Sequence, residues 1–237
     1  MNNFFFKENS DFTPFTLQHL LVVFICFLIG YILIKWAKNQ TEKTQFKTGN
    51  IIAFSISSFI IIGNGIKIYA NDYDVQEDLP LHLCSFLALT IPIFSLKRRY
   101  LHYEILLFLI LAGTLQSLIT PSSYSFLNFE FFRYWTVHAG LVIFMMYATF
   151  VYKMRPTLKS VWKSYFGFQV YMIIMFIINY FIGSNYFYTN RKPDAASMLD
   201  LFGDWPYYVL IVNLIVIPYF LLIYLPFYLT LNKKSKV

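Results

Sequence analysis

Charge is what this chain has least of. Only 13% of its 237 residues are Asp, Glu, Lys or Arg, while 58% are hydrophobic. Its mean hydropathy is +0.55. A soluble domain carries about 25% charged residues, so a water-soluble globule is excluded. Cysteine is nearly absent too. Cys26 and Cys84 stand far apart in apolar segments, which gives neither a disulfide framework nor a CxxC metal pattern. The four histidines, His19, His82, His102 and His138, form no HxxxH or HExxH. That sets aside the seven-span zinc hydrolases, and no metal or other cofactor is expected. There is no glycine-rich phosphate loop, no internal repeat, and no lysine in the last apolar span for a retinal Schiff base. A signal peptide is not expected, because Glu8 and Asp11 stand where its basic region belongs.

What is present is apolar and aromatic. Phe, Trp and Tyr make up 21% of the chain, which suits lipid-facing and interfacial positions. The pattern predicts an all-α, polytopic membrane bundle forming one domain over 1–237. Seven stretches reach or approach the roughly 20 residues needed to cross the hydrocarbon. They are 15–36, 50–70, 79–96, 101–120, 133–152, 163–183 and 207–231, the third being the shortest and most polar.

The excess of positive charge, +7 overall, follows from topology. Fourteen cations (Lys35, Lys38, Lys43, Lys47, Lys97, Arg98, Arg99, Lys153, Arg155, Lys159, Lys163, Lys233, Lys234, Lys236) fall on one side. Five (Lys7, Lys67, Arg133, Arg191, Lys192) fall on the other. The positive-inside rule then predicts the N-terminus outside and the C-terminus cytoplasmic. An odd number of spans agrees with that split. With no extended basic tract and no soluble reading module, a nucleic-acid partner is not expected.

This topology gathers the polar residues toward the outer side, and a membrane protein that does so has the makings of a site there. His82 follows Asp78 and Pro80, read as the cap and first turn of the third span, so it sits in the outer first turn. His138 lies five residues inside the edge marked by Arg133, roughly 7 Å at helical rise. Two imidazoles at comparable depth can act as base and as acid or orienting partner. They can equally be hydrogen-bonding glue between helices. Cys84 is two residues from His82, on a different helical side, whereas Ser85 at three residues shares its face. A small buried cysteine is otherwise simply packing. Gln116 and Ser117 end the fourth span, Asn179 and Asn185 the sixth, and Asn64 and Lys67 share a face of the second. Asn185 and Lys192 can hold a phosphate or orient a carbonyl. Asp200 can fix a histidine tautomer. The segment 184–206, with Asp194, Leu199, Leu201, Phe202 and Trp205, reads as a structured cover over the outer face.

Five motifs occur in order: Leu79-Pro80-Leu81-His82-Leu83-Cys84-Ser85, Val137-His138-Ala139-Gly140, Asn179-Tyr180-x-x-Gly183-x-Asn185-Tyr186, Lys192-Pro193, and Leu199-Asp200-x-x-Gly203-x-Trp205-Pro206. From about Asp78 to Tyr208 the chain resembles the YwaF-type integral membrane proteins of bacteria. That family is distantly similar to the eukaryotic transmembrane protein 164 acyltransferases, which move fatty acyl chains between phospholipids. The resemblance implies a seven-span bundle in the cell membrane, acyl-transfer chemistry, and functional roles for His82 and His138. The eukaryotic relatives place a cysteine directly before the first histidine, where this chain has Leu81. Cys84, two residues past His82, is no direct equivalent, and three readings stay open: the nucleophile has moved, with Cys84 and Ser85 as candidates, His82 itself acts, or the bacterial members do something else.

The expectation is a His-dependent lipid acyltransferase or transacylase at the outer leaflet, acting in phospholipid remodelling. Its partners would be a membrane phospholipid donor and a lysolipid acceptor. Gln116 and Asn185 would stabilise the oxyanion. The alternatives are a substrate-binding subunit of a vitamin-type transporter and a non-catalytic membrane partner. The sequence gives no oligomeric state.

Overall fold

A computed structural model describes residues 13–121, 128–193 and 197–234. Lys7, Asp194 and Lys236 lie outside the described residues. Among these residues there are seven α-helices and no strand: α1 Leu17–Ala37, α2 Glu42–Tyr69, α3 Leu83–Lys97, α4 Tyr100–Ile119, α5 Phe129–Phe150, α6 Leu158–Ile182 and α7 Tyr207–Lys234. Two 3₁₀ turns, Tyr186–Tyr188 and Met198–Phe202, lie between α6 and α7.

Local chemistry sets the helix ends. The hydroxyls of Thr16 and Thr41 accept from the His19 and Thr44 amides to start α1 and α2. The Asn128 side chain does the same for Phe131 at the start of α5, at 2.8 Å. Thr157 and Ser160 form a capping box on α6. At the far end of α6, Gly183 takes the left-handed φ of 69° that stops the helix without steric cost.

The helices differ in how much lipid-compatible surface they show. Large apolar side chains such as Phe24 and Ile32 on α1, Ile173 on α6 and Leu214 and Leu222 on α7 are exposed. In contrast α4 and α5 are central, with Leu107, Phe108, Ile110, Leu141, Phe144 and Met145 almost wholly buried. Five helices are long and apolar enough to cross a membrane, namely α1, α2, α4, α6 and α7. At 15 residues, α3 spans only about 22 Å at helical rise. The central position of α5 explains its greater polarity, since its neighbours are other helices rather than lipid.

Four helix starts differ from the sequence reading: α2 and α6 begin earlier, at Glu42 and Leu158 rather than 50 and 163, and two others bear on the site. The third helix begins at Leu83, not near residue 79. Asp78 does not cap it. Its carboxylate instead accepts from Lys67 Nζ at 2.5 Å and from the Asp74 amide at 2.9 Å. The Asn64 amide donates to the Asp78 carbonyl, so the Asn64–Lys67 face of α2 grips this loop. Pro80 lies in the turn before the helix, and His82 is the N-cap with extended backbone. The fifth helix begins at Phe129, so Arg133 marks no edge but sits in the second turn, paired with Glu130.

Candidate functional site

The starts of α3, α5 and α7 and the ends of α2, α4 and α6 meet at one end of the bundle, and the start of α1 joins them. There the His19 Nδ1 accepts from the Phe15 amide, which fixes the proton on Nε2. That nitrogen donates to the Leu118 carbonyl at the end of α4. His19 is thus satisfied on both sides and 2% exposed, a structural histidine. His102 lies at the opposite end, in the first turn of α4.

Because His82 precedes α3 rather than belonging to its first turn, the face argument that favoured Ser85 over Cys84 no longer applies. His82 turns toward the 184–206 segment. Its ring packs against Tyr186 (centroids 5.2 Å apart, edge-on) and Tyr188 (5.0 Å). Its ring nitrogens make no hydrogen bond among the described residues. Cys84 turns the other way, into α4, with Sγ 3.8 Å from the Thr114 hydroxyl. Thr114 is fully buried.

The cluster continues from α4 to α5. The Tyr134 hydroxyl donates to the Ser117 carbonyl at 2.5 Å. The Tyr134 ring lies 4.1 Å from that of His138. His138 Nδ1 is 2.8 Å from the Tyr134 carbonyl, one helical turn back. A carbonyl only accepts, so Nδ1 carries the proton and Nε2 keeps its lone pair. Cys84 thus meets α4 at Thr114, and Tyr134, packed beside His138, meets it at the Ser117 carbonyl. Polar groups of α3 and α5 so form a seam along α4, in which no hydrogen bond joins Cys84 to His138 among the described residues. No ring contact joins His82 to His138 among the described residues.

Gln116 is half-buried near the end of α4, and its side-chain amide makes no hydrogen bond among the described residues. It shares a face with Gly113. A Cβ on Gly113 would sit 2.9 Å from Leu83 Cδ2, so Gln116 is on the side of α4 that meets the start of α3.

The turn just after α6 is built around Asn179. Asn179, 1% exposed, uses its whole amide. It donates to the Tyr186 carbonyl and the Thr189 hydroxyl and accepts from the Ser184 hydroxyl and the Tyr186 amide. The Tyr186 hydroxyl then donates to the Val75 carbonyl and accepts from the Leu79 amide, tying this segment to the loop before His82. The Tyr171 hydroxyl donates to the Leu81 carbonyl. Trp205 Nε1 donates to the Thr189 carbonyl at 3.0 Å.

The remaining sequence candidates have other partners. Asn185 donates to the Arg191 carbonyl and accepts from the Asn190 and Arg191 amides, so its amide organises the loop. Lys192 Nζ lies 3.2 Å from Asp204 and 3.9 Å from Asp200. Asp200 caps its own 3₁₀ turn by accepting from the Ser197 amide, and it meets no histidine ring. The sequence reading gave no role to Thr114, Tyr134, Tyr171, Tyr188 or Tyr186, the last of which it quoted only as part of a motif. Tyr134 could have been found, because it stands one turn before His138; the others are joined to the site only by tertiary packing.

Apolar helices exposed around a buried polar seam define a multi-pass integral membrane protein. The TMEM164 family model matches residues 14–224, and the chain belongs to the TMEM164 family. No curated protein and no solved structure matches it.

Proposed function

We propose that this protein is a phospholipid acyltransferase or transacylase. It belongs to the YwaF-type bacterial branch and sits in the cell membrane with seven spans, its N-terminus outside and its C-terminus cytoplasmic. Seven α-helices, with Lys97, Arg98, Arg99, Lys153 and Arg155 at the end opposite His82, support that orientation. The carrying observation is that Cys84, Thr114, Ser117, Tyr134 and His138 gather along α4, near the turn after α6 that packs on His82.

In the first half-reaction His138 Nε2 takes the Cys84 thiol proton, and sulfur attacks the ester carbonyl of a donor phospholipid. The Gln116 amide donates to the developing oxyanion. The ester C–O bond breaks, His138 returns the proton to the departing alkoxide, and a lysolipid leaves. In the second half a lysolipid hydroxyl gives its proton to His138 and attacks the thioester. This yields a new ester and the free thiol. Protons and acyl groups balance with no other reactant. His82, facing the cover with unbonded ring nitrogens, orients the donor headgroup. It is also the rival base and acyl carrier. The 184–206 segment excludes water, so that a lysolipid accepts the chain.

The test is acyl transfer in liposomes holding a labelled phospholipid and an unlabelled lysolipid, followed by mass spectrometry. Label on the lysolipid with wild type, and none with Cys84→Ser, supports the mechanism. Wild-type rates in Cys84→Ser together with a dead His82→Ala would move the nucleophile to His82. No transfer from folded wild type with several donors would overturn the reading.

A further inference from the structure

At the end of the bundle opposite His82 lies a cavity of about 810 Å³, larger than a single headgroup phosphate needs. Its wall holds three cations from three different helix ends: Lys38 at the end of α1, Arg98 at the end of α3 and Lys153 just past α5. Glu42 is its one carboxylate. Among the described residues, none of the three cations forms a salt bridge. Arg98 is nevertheless held in place, with Cζ 4.7 Å from the Phe46 ring centroid and 5.5 Å from that of Tyr152. Lys38 Nζ sits 4.9 Å from the Phe150 ring.

The backbone points the same way. Arg98 and Lys153 have φ of 46° and 59°. At such positions glycine is the residue without steric cost, and a side chain there persists only when something else holds or uses it. Two left-handed cations lining one concavity, with a third on its wall, are more than the general excess of positive charge on a cytoplasmic face. That rule asks for cations near the membrane but does not gather them around a cavity.

The geometry points to a phosphate-binding site in this cavity, one that holds a phosphomono- or diester anion between Lys38, Arg98 and Lys153. Basic pockets at helix ends take anionic lipid headgroups, and a free phosphate compound offers the same chemistry. The site is separate from the acyl-transfer reading and stands without it.

The full chain, purified in uncharged detergent and freed of lipid, is titrated with phosphatidylglycerol and with phosphatidylcholine by native mass spectrometry. Sodium pyrophosphate serves as a soluble competitor. The expected result is preference for phosphatidylglycerol and about fivefold weaker binding for each cation replaced. Lys38→Gln alone is then about fivefold weaker, and K38Q/R98Q/K153Q loses roughly 100-fold. Lys159→Gln, which removes an exposed cation at the same end but outside the cavity, leaves binding unchanged. Should the triple variant fail to fold by thermal melting, Lys38→Gln against Lys159→Gln decides alone. Displacement by pyrophosphate identifies a soluble phosphate compound as the occupant, and resistance to it identifies a lipid headgroup. Equal binding by wild type and the Lys38→Gln variant, equal loss in Lys159→Gln, or no binding of either anion overturns the site.

Discussion

Glu104 on α4 and Lys163 on α6 form a 2.6 Å ion pair in which the carboxylate is 1% exposed and the ammonium 43%. The same carboxylate accepts from the Ser160 hydroxyl at 2.7 Å, and the Ser164 hydroxyl donates to the Glu104 carbonyl. The two partners are not equivalent. Removing the lysine strands a buried charge, whereas removing the carboxylate charge leaves a lysine that can reach water. Lys163→Ala is therefore expected to cost more than Glu104→Gln. Half-exposure of the ammonium discounts the usual cost of breaking a buried pair to about 1–3 kcal/mol. Melting of both variants in detergent checks the order; a Glu104→Gln protein less stable than Lys163→Ala would contradict it.

Tyr186 ties the covering segment to the loop before His82. Burial pushes its phenol up to about 12, chiefly by desolvation. Because the folded pKa lies above the unfolded one, the stability this group contributes is fully present below about pH 10. It is lost as the pH rises from there through 12. Tyr186→Phe should be less stable at neutral pH by about 1–3 kcal/mol, since it unpairs the Val75 carbonyl and the Leu79 amide. It should also show a shallower decline above pH 10. Melting temperatures of the two proteins from pH 8 to 12 test both parts, and parallel curves would remove Tyr186 from the account.

In the proposed chemistry His138 moves protons and Tyr134 only positions it. His138→Ala should slow acyl transfer about 10²–10⁴-fold, the usual range for loss of a general base. Tyr134→Phe keeps the main-chain carbonyl that accepts from Nδ1 and loses the hydroxyl bond to the Ser117 carbonyl. Its effect should stay within about tenfold, corresponding to one hydrogen bond. Initial rates in liposomes separate the two, and a Tyr134→Phe enzyme as slow as His138→Ala would give the tyrosine a direct role.

Trp205 braces the segment after α6 from within by donating to the Thr189 carbonyl, and in the proposed chemistry that segment excludes water. Trp205→Phe should admit water and divert acyl groups from lysolipid to free fatty acid, with total turnover little changed. The ratio of the two products measures this. An unaltered ratio would mean that the segment does not control water.

The helical class was legible because apolar runs about 20 residues long permit little else. The mouth of the third helix was not. Pro80 suits a first turn, and Asp78 suits a cap, but Asp78 is engaged by Lys67 and Asp74, so the helix starts four residues later than read. That shift takes His82 off the helix and removes the helical face it was read as sharing with Ser85. The roles suggested for Asn185 and Asp200 rested on residue type alone. Both side chains are taken by amides a few residues away, competition that spacing cannot show. Glu104 was passed over as one charge in an apolar run, although its partners Ser160 and Lys163 lie more than fifty residues downstream.

The shortness of α3 has a consequence for how a substrate arrives. Its roughly 22 Å fall short of a hydrocarbon layer about 30 Å thick. In the proposed chemistry this places the first turn of α3, with Cys84, below the headgroups, at the level where glycerol backbones carry their ester bonds. A phospholipid diffusing sideways in its own leaflet would then bring the scissile bond to that height with both tails still immersed, and lateral encounter would replace extraction as the first step.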